Sequence, residues 1–167
     1  GLSAALGFTD AGGVWVKDET HNVGGSHKAR HLMAIALHLE VASALGWIDA
    51  DAELAIASCG NAAFAAAVVA RAADRPLRVF IPPSANPAVV SRLQALGAQI
   101  TRCPRQPGES GDPCFLRFSE AVNAGAIPFC CQGNANGLNL EGGQTLAWEA
   151  GMQLAAASVT LDHLVVQ

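Results

Sequence analysis

Apolar and polar positions alternate along this chain in two rhythms, and the points where one rhythm gives way to the other divide it into elements. Short β-rich runs at 13–19 (GVWVKDE), 53–58 (ELAIAS), 77–81 (LRVFI), 98–103 (AQITRC), 126–131 (AIPFCC) and 163–167 (HLVVQ) read as strands. Longer stretches between them read as helices. One runs over 26–45 and is stopped by Gly46 as a left-handed cap. A second, over 61–73, is dominated by alanine, the best helix former. A third is opened by Asn86 as cap and Pro87 as first-turn proline and closed by Gly97. Two more cover 114–124 and 142–157, and the proline- and glycine-rich stretch 104–113 reads as a loop. Strands that alternate with helices of this length imply right-handed crossovers and a mostly parallel sheet covered on both faces. The expected class is α/β.

Composition narrows the function classes. A net charge of -4 and a pI near 5.6 leave no basic surface for a phosphate backbone, so nucleic-acid binding is not expected. The longest apolar run, Ala62 to Ala70, is closed by Arg71 and is about half of what a bilayer requires, so no membrane span is expected. The first residues lack the basic-then-apolar pattern of a secretion signal. Five cysteines lie at 59, 103, 114, 130 and 131 without paired C-x-x-C spacing. Reduced thiols in a cytoplasmic protein are the simplest account.

Candidate chemistry gathers where glycines meet a helix start. In HNVGGSHKARHL (21–32), Gly24 and Gly25 permit close backbone approach, Ser26 can cap, and the first-turn amides form an anion site. An amine at that dipole end, Lys28, is favoured in its neutral form, the nucleophile that forms a Schiff base with an aldehyde. A solvated lysine on an amphipathic helix accounts for this stretch taken alone. A second turn, Ser58, Cys59, Gly60 and Asn61, stands where the strand at 53–58 meets the next helix. His27 and His31 have the spacing of a metal pair, but no carboxylate joins them in that turn and no metal site is expected. Trp47 and Trp148 are expected to pack against the sheet. Glu19 and Asp18 either orient the glycine loop or form a solvated strand end.

Four stretches in order, VKDETHNVGGSHKAR, SCGN, PPSANPAVVSRLQALGAQI and LEGGQTLAWE, resemble the fold-type II pyridoxal-phosphate enzymes. That group contains threonine synthase, threonine and serine dehydratases, cysteine synthase and the tryptophan synthase β chain. The resemblance spans essentially the whole chain. It implies a tryptophan synthase β-like arrangement of parallel sheets with helices on both faces, with pyridoxal 5'-phosphate as cofactor. Lys28 takes the position of the Schiff-base lysine, which also moves the substrate α-proton. Asn61 takes that of the residue bonded to the cofactor's 3'-oxygen, and Ser58, Cys59, Gly60 and Ala62 that of the turn gripping the substrate carboxylate.

The implied activity is a lyase or synthase acting on a hydroxy or O-phospho-hydroxy amino acid by α-proton abstraction and β- or γ-elimination, of the threonine dehydratase or threonine synthase type. The alternative is an inactive truncated or degenerate α/β module acting only in assembly. Residues 1–49 are expected to begin a large cofactor domain, 50–131 to form a small α/β subdomain, and 132–167 to return to the large domain, ending before the family's glycine-rich phosphate loop. The chain is thus expected to be part of a longer enzyme and to form a homo-oligomer. Cys59 replaces the usual serine or alanine, Ala62 the usual threonine or histidine, and EGGQT carries one glycine more than the family pattern.

Overall fold

A computed structural model describes residues 2–8 and 13–165. Six helices and four strands follow one another in it: α1 (Leu2–Ala5), α2 (Lys28–Ala44), β1 (Leu54–Ala57), α3 (Asn61–Ala72), β2 (Leu77–Ile81), α4 (Pro87–Ala95), β3 (Gln99–Arg102), α5 (Pro113–Asn123), β4 (Ile127–Pro128) and α6 (Leu138–Ala156). The strands form one parallel sheet in the order β3-β2-β1-β4. From β1 the chain steps outward through α3 to β2 and through α4 to β3, then returns across the sheet through α5 to β4. Right-handed crossovers in opposite directions put α3 and α4 on one face and α5 on the other. Burial agrees, since Leu54, Ala55 and Ile56 are all buried although successive residues face opposite sides.

Local chemistry explains most boundaries. Asn86 accepts a hydrogen bond from the Ala88 amide at 2.9 Å with Pro87 in the first turn, and Asp112 does the same for Cys114 ahead of α5. Gly46 and Gly97 end their helices at φ +71° and +87°. β4 is shorter than the expected 126–131. The amides of Ile127 and Phe129 bond the Glu53 and Ala55 carbonyls at 2.8 Å, while Pro128, with no amide to give, stands on the outer side of this edge strand.

Two strand expectations fail. Residues 13–19 have no ladder partner among the described residues, and Trp15 and Val16 are 61% and 73% exposed. Residues 163–165 carry no strand either, and Val166 and Gln167 lie outside the described residues. Trp47 and Trp148 do not pack against the sheet; they are 72% and 60% exposed.

Small residues bring the helices together. α2 packs on α3 and α6, and its crossing with α6 is set by Gly142. A methyl group there would run into the Arg30 carbonyl and stand 2.7 Å from the His31 Cα. At Gly143, the additional glycine of EGGQT, a methyl would meet the His31 ring at 2.6 Å. His31 in turn donates from Nδ1 to the Asn139 carbonyl at 2.8 Å, a tie between the two helices.

This geometry separates glycines that helix propensity treats alike. Gly142→Ala should destabilise the protein by about 1–3 kcal/mol, the cost of overpacking against backbone that cannot move aside. Gly151→Ala, in the same helix with nothing within 4 Å, should stabilise it by about 0.5–1 kcal/mol. Denaturant unfolding of both variants checks this; equal shifts of the same sign would reject the close crossing.

Candidate functional site

The return of the chain across β1 creates a switch point, where the segments leaving the carboxyl ends of β1 and β4 diverge. Ligands of open α/β sheets bind at such crevices. The turn Ser58–Gly60 leaves β1 there, and Phe129–Cys131 leaves β4. Lys28 is the first residue of α2, its amide bonded to the Ser26 Oγ at 3.4 Å. Its ammonium lies near enough to Cys131 to oppose the effect of burial, which pushes that thiol up to about 11. Burial, then the charge of Lys28, keeps the His27 imidazole below its usual range.

The second turn is open. Gly60 precedes α3 without a side-chain cap, so the first amides of that helix are free for an anion. Ser58 Oγ folds back to accept from the Gly60 amide at 3.4 Å. Cys59 and Asn61 are exposed, and Ala62 is half-buried against the core. The glycine loop reaches this turn from the other side. Gly24, at φ +81°, lies so close to α3 that a methyl on it would be 3.0 Å from the Ala65 Cα. A cleft of about 390 Å³ separates Gly24 and Gly25 from Gly60, Asn61 and Phe64. Lys28 does not line it.

What holds the loop is an ion network that the sequence showed only as separate motif residues. The Arg30 guanidinium grips Glu19 through Nε at 2.6 Å and Nη2 at 3.0 Å, reaches Thr145 Oγ1 at 3.3 Å, and pairs with Glu149. Lys17 Nζ bridges Glu19 and Glu149, 3.1 Å from each, and Asn22 Nδ2 donates to Glu19. Of the two readings open for Glu19, the structure selects the orienting one. Its side chain is only 10% exposed. Asp18 instead remains exposed, accepting from the amide and hydroxyl of Thr20. Arg30, Lys17, Thr145 and Glu149 were missed as partners because a shared charge network leaves no periodic trace; the signal was their opposite charges within motif stretches over a hundred residues apart.

Among the described residues no group of three His, Cys, Asp or Glu is placed to hold a metal ion, and no helix is long and apolar enough to cross a membrane.

The family model for pyridoxal-phosphate dependent enzymes matches residues 1–167. The chain belongs to that family. It is 31% identical over 98 residues to the cysteine synthase of a Flavobacterium species, covering 59% of this chain and 31% of the relative. Its fold matches a hydrogen sulfide-producing enzyme of Fusobacterium nucleatum with a TM-score of 0.72 and 20% identity, covering 89% of this chain and 44% of that one. Maize serine racemase matches at 0.65 and 19%, covering 83% and 39%. The chain thus spans between a third and a half of the length of these relatives, or slightly less. Family membership implies pyridoxal 5'-phosphate as cofactor, and the local features fit it: a lysine at a helix start with no acceptor among the described residues, an α3 start without a side-chain cap, and a glycine loop with no room for a side chain at Gly24.

The ion network fixes a pH dependence. Hydrogen bonds from Arg30 and then Lys17, against the effect of burial, hold the Glu19 carboxyl down to about 2 from an ordinary 4.5. Its contribution to stability is therefore complete above about pH 4.5 and is lost as pH falls toward about 2. Acid unfolding of Glu19→Gln should show a flatter profile in that window than the unchanged protein; parallel profiles would show that Glu19 is not held by these partners.

Proposed function

We propose that the protein is a lyase or synthase that uses pyridoxal phosphate to act on a hydroxy amino acid or its O-phospho form, of the threonine dehydratase or threonine synthase type. What supports this reading is the family match together with two local features, Lys28 at the start of α2 with no acceptor among the described residues and an uncapped turn ahead of α3. The cofactor supplies, when bound, an electron sink for the pair left on the α-carbon. The chain's own residues do the rest. Lys28 would hold the cofactor through its aldehyde, and its Nζ would be the base that takes the substrate's α-proton. Asn61 Nδ2 donates to the 3'-oxygen. The Ser58–Ala62 turn receives the substrate carboxylate on its backbone amides, which suits a sequence that has cysteine at 59 and alanine at 62 and so offers few side-chain donors there.

Borohydride reduction of the protein with pyridoxal phosphate, followed by peptide mass mapping, should place the pyridoxyl mass on Lys28. Lys17, the other lysine, is held by two carboxylates and should stay unmodified. Reduction onto Lys17, or onto neither residue, would reject the assignment.

A further inference from the structure

The cleft beside the carboxylate turn has a wall that the proposed reaction does not use. Of the ten lysines and arginines, Lys28 and Arg92 are the two whose head groups meet no acceptor among the described residues. Arg71 and Arg102, equally on the surface, each hold a backbone carbonyl, Ala95 at 2.7 Å and Pro83 at 3.2 Å. Arg92 is nevertheless not loose. Its guanidinium carbon lies 4.1 Å from the centre of the Phe64 ring, and both residues line the cleft with Gly60 and Asn61.

That stacking has a specific chemical consequence. Contact with the ring restrains the guanidinium, while its N–H groups meet no acceptor among the described residues. A planar fork restrained against a ring suits bidentate recognition of a carboxylate or phosphate, because less rotamer freedom remains to be lost on binding. No carboxylate lines the cleft to compete for the fork. Phe64 is one turn into α3, so the ring that Arg92 of α4 covers and the open turn at the start of α3 line one cavity. One anion can occupy the amides while a second, on the same small molecule, reaches the arginine.

We propose that Arg92 is a specificity residue, selecting amino acids whose side chain carries a second anionic group, a carboxylate or a phosphate. The proposal rests on the reading of Ser58–Ala62 as the α-carboxylate turn and assigns the far end of the same substrate.

Titrations of ¹⁵N-labelled protein with L-serine, L-aspartate, O-phospho-L-serine and inorganic phosphate separate the possibilities. All three amino acids should shift the amides of residues 58–62. At least one of the two dianionic ones should also shift the Arg92 Nε–H and bind about threefold tighter than L-serine, as expected for a pair at an exposed arginine. Which of the two does so tells carboxylate from phosphate. Arg92→Gln should reduce that ligand to the level of L-serine and leave L-serine itself unchanged, and Arg92→Lys should restore part of the preference. Equal binding of serine and both dianionic amino acids, or equal loss of all three in Arg92→Gln, would overturn the role of Arg92 while leaving the carboxylate turn intact. Shifts at Arg92 from phosphate alone, with no amino acid shifting 58–62, would overturn the turn and this proposal with it.

Discussion

A nearly buried carboxylate, Glu19, organises the loop on which the site depends. A charge taken out of water is tolerated only when its lone pairs are answered, and here Arg30, Lys17 and Asn22 answer them together. Those partners come from different parts of the chain. Arg30 sits in the first turn of α2, two residues after Lys28, and Glu149, which it also binds, lies on α6. One network thus ties an irregular segment with exposed Trp15 and Val16 to two helices, and sets where the glycines that follow must run.

The position of Lys28 follows from this arrangement together with the sheet topology. α2 can approach α6 closely because Gly142 and Gly143 leave its backbone and the His31 ring space, and it can approach α3 because that helix presents alanines. α3, on which α2 packs, itself packs on β1 and β2 of the sheet. Close packing through small residues is an economical way to fix a lysine without giving it a partner.

The sequence was most legible where a local signal coincided with a buried face. β2, α3 and α4 have the expected extents to within a residue or two, because caps, prolines and continuous burial all mark the same boundaries. The sequence misled where an element needs a partner that local pattern cannot supply. Residues 13–19 have the composition of a strand but no ladder, and Trp47 and Trp148 have the bulk of core residues but face outward. For the candidate site, the glycine loop and the SCGN turn were legible as separate pieces. Their meeting across one cleft was not, because it depends on Gly24 lying against Ala65, a contact forty-one positions apart. Arg92 gave no signal at all, since its meaning lies in the acceptor it lacks.

The charge network, rather than the sheet, holds the glycine loop in register with the start of α2. Hydrogen exchange of Arg30→Gln measured against the unchanged protein tests it most directly. Exchange over residues 20–28 should be faster, with protection in β1 and β2 unaltered, because the sheet's ladder and core do not include the network. Unchanged protection over 20–28, or an equal loss in the loop and the sheet, would contradict it.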